Sequence, residues 1–190
     1  MASDPVAHLH DLSKSATAAA AALGPAITKA ADLVRATVNR GGTLFFCGNG
    51  GSAADAQHIA TEYVVRYRKE RRAIAAVALT TDTSLLTAAG NDYGFEQVFA
   101  RQVEALCKHG DLLILHTTSG NSPNLLRAVE AAKKKGVATL ALSAKGGGKI
   151  ESLVDHCIVV PTDRTDRAQE IQLAIEHAIC EMVEEGLTGG

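Results

Sequence analysis

Residues Gly48–Glu62 read GNGGSAADAQHIATE and directly follow the apolar run Thr43–Cys47, TLFFC. This run is bounded by glycines and is typical of a buried strand. The glycines behind it allow a sharp turn, and we expect Ser52 to cap a helix that begins at about Ala53. A glycine-rich turn that leads into a helix presents unpaired backbone N–H groups, so it predicts an anion site.

The predicted helix also carries two groups that bind metals or move protons. His58 and Glu62 are four residues apart, which puts an imidazole and a carboxylate on one face, one turn apart. A glycine-rich turn is often only a turn, and a His/Glu pair of this spacing is more often a solvated surface pair than a metal site. The choice between these interpretations therefore depends on whether other parts of the chain supply further ligands or acid/base groups.

Composition bounds the class of protein. The chain has 190 residues, 46% of them hydrophobic and 21% charged, which predicts one globular domain with a sizeable core. A net charge of −2 gives no electrostatic reason to expect nucleic acid or a membrane as a partner. The sequence has no apolar run of membrane-spanning length and no recognisable signal peptide, and its four cysteines form no CxxC motif. We expect a cytoplasmic protein with reduced, buried cysteines.

Apolar and amphipathic segments alternate regularly after residue 41. Strands are predicted over 43–47, 74–79, 112–116, 137–142 and 156–160, and helices over 53–67, 83–89, 94–108, 123–135, 148–154 and 166–185, with a turn at 90–94. Such alternation predicts an α/β fold with a parallel sheet covered on both faces. The whole chain, 1–190, is interpreted as one domain.

Two regions flank or interrupt this alternation. We expect residues 6–39 to form two helices, the second starting at Gly24-Pro25, and segment 1–40 to serve packing or oligomerisation beside the core of 41–190. A basic run at 66–72 is interpreted, for most of its members, as a solvated helix end.

A second loop of polar residues follows the predicted strand 112–116. Residues Thr117–Pro123 read TTSGNSP, and Pro123 behind Ser122 is a typical helix start. Four hydroxyls and a glycine, with no lysine, suit a phosphate monoester held by neutral donors, although an ordinary capping loop would look similar. In parallel sheets ligands bind at the carboxyl ends of the strands, so the two loops can form one pocket.

The last predicted helix adds further polar groups. Gln169 and His177 are eight residues apart, about two turns, and can face the same side. A lone histidine on such a helix is usually structural. Here it brings a second histidine towards a region that already holds His58.

Four segments together carry a resemblance to a known family. They are GNGGSAADAQH at 48–58, ALTTDTSLLTAAGNDYGFE at 78–96, TSGNSPN at 118–124 and DRAQE at 166–170. With them the chain resembles the sugar isomerase (SIS) family, and within it the phosphoheptose isomerases, over nearly its whole length. The resemblance implies a three-layer α-β-α sandwich with a five-stranded parallel, flavodoxin-like sheet. It also implies a homotetramer with active sites at subunit interfaces.

The resemblance further implies roles for individual residues. Glu62 and His177 match the proton-transfer pair of the family. The implied metal set, usually for one zinc per subunit, is His58, Glu62, Gln169 and His177. The implied substrate-binding residues are Asn49, Gly50, Gly51, Ser52, Arg66, Asp92, Thr117, Thr118, Ser119, Ser122, Asp166 and Gln169.

The implied activity is isomerisation of the phosphorylated seven-carbon sugar D-sedoheptulose 7-phosphate to D-glycero-D-manno-heptose 7-phosphate through an enediol(ate). A carboxylate and an imidazole suit the proton transfers, and zinc can polarise the carbonyl. Glutamine is an unusual zinc ligand, which favours a weak or substrate-completed site. The chain departs from the family at Thr117, where serine is common, and at Gln172, where histidine is frequent.

Other functions fit the same resemblance. One is an isomerase that yields the other C2 epimer or acts on another phosphosugar. Another is a non-catalytic SIS binding module similar to the DnaA initiator-associating protein. That branch lacks the glutamate/histidine pair, so the presence of Glu62 and His177 favours an enzyme.

Overall fold

Five parallel strands form one sheet in the order β2-β1-β3-β4-β5 in the computed structural model, which describes residues 4–187. The strands are β1 (Leu44–Gly48), β2 (Ala76–Ala78), β3 (Leu112–His116), β4 (Ala138–Ser143) and β5 (His156–Val159). The helices are α1 (Pro5–Asn39), α2 (Gly51–Val64), α3 (Thr83–Tyr93), α4 (Ala100–Leu106), α5 (Pro123–Lys134), α6 (Gly148–Glu151) and α7 (Thr165–Gly186). This architecture confirms the predicted α/β sandwich with a five-stranded parallel sheet.

Successive side chains of each strand enter two different cores because a strand alternates its faces. In β1, Leu44 and Phe46 pack on the face that is covered by α1, α2 and α7. Phe45 and Cys47 pack on the opposite face, against α4 and α5. The continuous apolar run of β1 is therefore explained by burial on both faces.

The N-terminal segment is one helix, so the prediction of two helices was wrong. Helix α1 continues through Pro25, although proline lacks the N–H that a helix interior uses. Its buried residues Ala19, Leu23, Ala30 and Val34 keep one helical phase on both sides of the proline, and α1 packs along α7. Tertiary packing of this uninterrupted stripe outweighs the local signal of Gly24-Pro25.

Other element bounds also differ from the prediction. The expected turn at 90–94 is wrong for 90–93, which complete α3, and the expected helix 94–108 divides into a 3₁₀ turn at Phe95–Gln97 and α4. Ser52 does not cap α2 but lies inside it, because the helix begins at Gly51 behind Gly50, whose φ is +58°. None of the helices within residues 4–187 is long and apolar enough to cross a membrane.

Candidate functional site

The two polar loops leave the sheet side by side. The strand order reverses between β1 and β3, and Gly48 pairs with His116 at their carboxyl ends. Ligands bind at such switch points in open α/β sheets. Asn49 and Asn124 join the two loops by reciprocal amide hydrogen bonds of 3.0 and 2.8 Å. This role of Asn124 was not anticipated from the sequence.

A cavity of about 240 Å³ lies between these loops and the start of α7. Nine of the residues implied by the resemblance line it: Asn49, Gly50, Gly51, Ser52, Thr117, Thr118, Ser119, Ser122 and Gln169. His116, Leu125 and Thr165 line it as well and were not anticipated. The lining combines a helix N-terminus with neutral hydroxyls, which suits an anionic ligand.

The loop Thr117–Ser122, here called the hydroxyl loop, is held by its own hydrogen bonds and by a close backbone contact. The Gly120 N–H donates to Thr117 Oγ1 at 3.1 Å. Gly120 has φ +66°, and a Cβ there would lie 1.9 Å from the carbonyl oxygen of Gly147. Only glycine fits such a position without displacing backbone. The fold therefore sets the shape of the loop before any ligand binds.

Gly51 allows the first turn of α2 to approach α7 closely. A Cβ on Gly51 would lie 2.6 Å from Nε2 of Gln169. The amide of Gln169 thus lies directly against the N-terminus of α2. This contact explains how one residue of α7 can line the cavity between the loops.

A group of three possible metal ligands lies further along the same two helices. One ligand atom each of His58, Glu62 and His177 lies within 4.8 Å of the other two. The Nε2 atoms of His58 and His177 are 3.0 Å apart, and His58 Nε2 is 3.5 Å from Glu62 Oε1. Bonds of roughly 2.0–2.1 Å in a tetrahedral zinc site separate two ligand atoms by about 3.3 Å. The two separations from His58 bracket that value, and the third pair of ligand atoms lies within 4.8 Å, so the donor set of this triad suits zinc.

The ring of His177 is held by an aromatic neighbour. Tyr67 stacks on it with ring centroids 5.3 Å apart and an interplanar angle of 15°. Tyr67 belongs to the segment that follows α2, and its backbone N–H donates to the Glu184 carboxylate at 2.8 Å. The orientation of His177 therefore depends on residues beyond the triad.

Glu184 binds the segment after α2 through four hydrogen bonds. Its carboxylate accepts from the backbone N–H groups of Tyr67, Arg68 and Lys69 and from Nε of Arg71, at 2.8–3.0 Å. Arg71 also donates to the carbonyl oxygens of Glu62 and Tyr63 and so caps α2. Arg71, with 8% of its side chain exposed, is the exception in this basic run. The other members, Arg66, Arg68, Lys69 and Arg72, are exposed as expected.

The buried pair of His116 and Glu176 was missed by the sequence reasoning. His116 Nε2 lies 2.7 Å from Glu176 Oε1, and His116 Nδ1 lies 3.4 Å from the Ser52 carbonyl oxygen. A carbonyl oxygen and an ionised carboxylate only accept hydrogen bonds, so beside an ionised Glu176 a ring that fills both contacts carries two protons and a positive charge. Burial is the largest single effect and lowers the pKa of His116, but the Glu176 carboxylate, Asp55 and the Ser52 carbonyl together outweigh it, and the pKa is raised.

Glu176 Oε2, the second oxygen of this pair, is buried without a hydrogen-bond partner among the described residues, and so are Asp55 Oδ2 and Gln172 Oε1. Burial, as the largest cause, raises the pKa of Asp55. Gln172 uses its other end to donate to the carbonyl oxygen of Thr117 at 2.7 Å. The glutamine that departs from the family pattern therefore anchors the hydroxyl loop to α7.

Three residues implied to bind substrate lie outside the cavity of this chain. Arg66 is exposed after the end of α2, with its Nε 3.9 Å from a carboxylate oxygen of Glu70. Asp92 lines a separate, mostly apolar cavity between α3 and α4. Asp166 binds both nitrogens offered by Arg164, at 2.6 and 3.2 Å, and these hydrogen bonds hold its pKa well below the usual range.

A match to a protein-family model identifies the class of protein to which the chain belongs. The model of the SIS domain family matches residues 7–144. The chain therefore belongs to the SIS-domain family, which agrees with its fold and with its cavity at the switch point.

Similar proteins indicate the branch of the SIS family to which the chain belongs. The chain is 52% identical to a phosphoheptose isomerase of Rhodospirillum rubrum over 163 residues, which is 86% of this chain and 87% of that one. It is 54% identical over 160 residues, 84% and 86%, to one of Campylobacter jejuni. The solved structure of a phosphoheptose isomerase from Neisseria gonorrhoeae superposes with a TM-score of 0.90 at 42% identity, covering 95% of this chain and 96% of that one. Within the SIS family the chain is thus a member of the phosphoheptose isomerases, and it is an isomerase.

Proposed function

We propose that this chain converts D-sedoheptulose 7-phosphate to D-glycero-D-manno-heptose 7-phosphate through an enediol(ate). The observation that carries the proposal is the arrangement of two sites along α2 and α7. One site is the anion-suited cavity at the start of both helices, and the other is the triad of His58, Glu62 and His177. A substrate anchored at one site can present its reacting carbons at the other.

The separation of the two sites supports a long sugar. His58 of the triad stands seven residues after Gly51 of the cavity, which is about 10 Å along α2 at 1.5 Å per residue. An extended seven-carbon sugar phosphate has a comparable length.

In this proposal the hydroxyl loop and the N-terminus of α2 hold the phosphate. Glu62 takes the proton from C1 and returns it to C2, while His177 moves the hydroxyl proton from O1 to O2. The ketose loses and regains two protons, so the products balance. Both groups lie within one cluster, where His58 Nε2 lies 3.5 Å from Glu62 Oε1 and 3.0 Å from His177 Nε2.

Zinc is the proposed cofactor, one per subunit, held by His58, Glu62 and His177 with Gln169 as a further ligand. When bound, the ion polarises the carbonyl and stabilises negative charge on the reacting oxygens. Glu62 would then serve both as ligand and as base.

We also propose a homotetramer in the cytoplasm, with active sites shared between subunits. Arg66 and Asp92 lie outside the cavity of their own chain, and we assign them to the site of a neighbouring copy. Exposed apolar side chains beside them support such contacts, since Val65 is 63% and Tyr93 56% exposed.

Incubation with sedoheptulose 7-phosphate in heavy water, with and without zinc, followed by NMR, tests the proposal. We expect an aldose that carries deuterium at C2, and the C2 configuration names the product. Glu62→Gln should abolish turnover but leave the fold and oligomer intact, whereas the control Glu130→Gln, at an exposed side chain of α5 that pairs with Arg127, should behave as the wild type.

The outcomes separate the alternatives. The opposite C2 configuration would mean that the enzyme makes the other epimer. Absence of exchange under every metal condition would contradict the proposal and favour another phosphosugar or a binding module, which a pull-down for protein partners would then examine. Near-normal activity of Glu62→Gln would remove Glu62 from the mechanism.

A further inference from the structure

We propose that His116 and Glu176 are positioning residues that fix the hydroxyl loop relative to His177. The inference rests on the proposed function, since it assumes that the loop holds the phosphate and that His177 moves a proton. It concerns two buried residues outside the triad, of which His116 also lines the cavity.

The first observation is where the two residues stand in the chain. His116 is the last residue of β3 and directly precedes Thr117, the first residue of the hydroxyl loop. Glu176 directly precedes His177 on α7. Each residue of the pair is therefore one peptide bond away from the group that it positions. Their hydrogen bond of 2.7 Å connects the hydroxyl loop to the catalytic histidine.

The second observation is that other contacts reinforce this bond in the same place. Gln172, one turn before Glu176, donates to the Thr117 carbonyl oxygen at 2.7 Å. The other ring nitrogen of His116 faces the carbonyl oxygen of Ser52 in the first turn of α2. His116 thus contacts elements from both sides of the cavity, while 1% of its side chain is exposed.

Stability alone does not explain such a pair. Taking two charges out of water costs about as much as their attraction returns, and apolar residues of similar size are often as stabilising. A hydrogen bond differs from an apolar contact because it fixes distance and direction. The role of the pair is therefore to fix the position of α7 against the end of β3. A shift of α7 along this contact would misplace His177 relative to a substrate whose phosphate is bound by the hydroxyl loop.

The experiment replaces the pair with apolar residues, in the double variant His116→Leu/Glu176→Leu. We expect a folded tetramer whose kcat falls at least about 10-fold while KM changes less than about 3-fold, because small misplacements of catalytic groups slow the reacting step. Glu176→Gln keeps an acceptor for His116 and should retain at least about a third of the wild-type kcat, since the bond that sets the geometry survives.

Asp111 provides the matched control at the opposite end of the same strand. It is 1% exposed and accepts from the backbone N–H groups of Thr43 and Lys108. Asp111→Asn should lower the melting temperature and leave kcat unchanged. A wild-type kcat in the double variant, or an equal loss of kcat in Asp111→Asn, would overturn the inference.

A second measurement needs no substrate and separates this inference from the proposed function. Imidazole ¹H–¹⁵N spectra of the wild type should give one sharp set of signals for His177, and the double variant should broaden or split them. If the wild type turns over no sedoheptulose 7-phosphate, the proposed function fails but the spectra still decide the inference. Unchanged His177 signals in the double variant would refute the positioning role.

Discussion

Loss of the Glu184 carboxylate should destabilise the protein more than any exposed charge on the same helix. Glu184 is 3% exposed and accepts from three backbone N–H groups and from Arg71. In Glu184→Ala all four donors lose this acceptor, and breaking a buried pair of this kind costs about 3–5 kcal/mol. This is a large share of the roughly 5–15 kcal/mol that stabilises a typical domain.

Urea unfolding at pH 7 measures this cost, and thermal unfolding should show a decrease of roughly 6–20 °C for a chain of this size. The matched control is Glu181→Ala. Glu181 lies on the same helix and pairs with Arg68 at 2.5 Å, but its side chain is 42% exposed, so we expect about 0–1 kcal/mol. Equal losses in the two variants would refute the reasoning.

The same carboxylate predicts a pH dependence. Burial tends to raise the pKa of Glu184, but the three backbone N–H donors and Arg71 outweigh it, and the pKa is lowered. A lowered folded-state pKa means that the stabilisation is fully present above the unfolded-state value of about 4.3 and is lost as the pH falls through the folded-state pKa. The free-energy difference between wild type and Glu184→Gln should therefore shrink below about pH 4; a difference that stays constant to pH 3 would contradict this.

Three further predictions concern the site. Gly120→Ala should strongly destabilise the hydroxyl loop, since its Cβ would lie 1.9 Å from the Gly147 carbonyl oxygen; circular-dichroism melts and KM measure this, and an unchanged KM would contradict it. Gly51→Ala should leave stability within about 1 kcal/mol but displace the Gln169 amide, which lies 2.6 Å from the added carbon; weaker zinc binding in calorimetry is the expected result, and wild-type affinity would exclude Gln169 as a ligand. Removing metal with a chelator should lower the melting temperature of the wild type but not of His58→Ala, and equal shifts in both would indicate a metal site elsewhere.

Many residues of the site could be predicted from the sequence because they lie in short contiguous segments. The glycine-rich turn after β1 and the hydroxyls after β3 are each contiguous, and both follow apolar runs that are recognisable as strands. Parallel strands bring their carboxyl ends to one edge, so the two loops could be expected to share a cavity. The metal triad depended on a spacing of four within α2 and on the family resemblance for His177.

Other features required the tertiary structure. Local signals at Gly24-Pro25 indicated a helix start, but α1 continues through these residues because it packs along α7 on both sides of them. Arg71 looked like one charge of a solvated run, yet its partner Glu184 lies 113 residues away. Periodicity and composition contain no information about which distant side chains meet.

The sequence by itself determined the alternation of strands and helices and the two polar loops at the carboxyl edge of the sheet, because periodicity and turn chemistry act over a few residues. Only the tertiary structure decided that His116 would meet Glu176, 60 residues further along the chain. Read alone, each is an ordinary polar residue in an apolar stretch. Their pairing depends on how α7 packs across the end of β3, and that packing is set by the whole core.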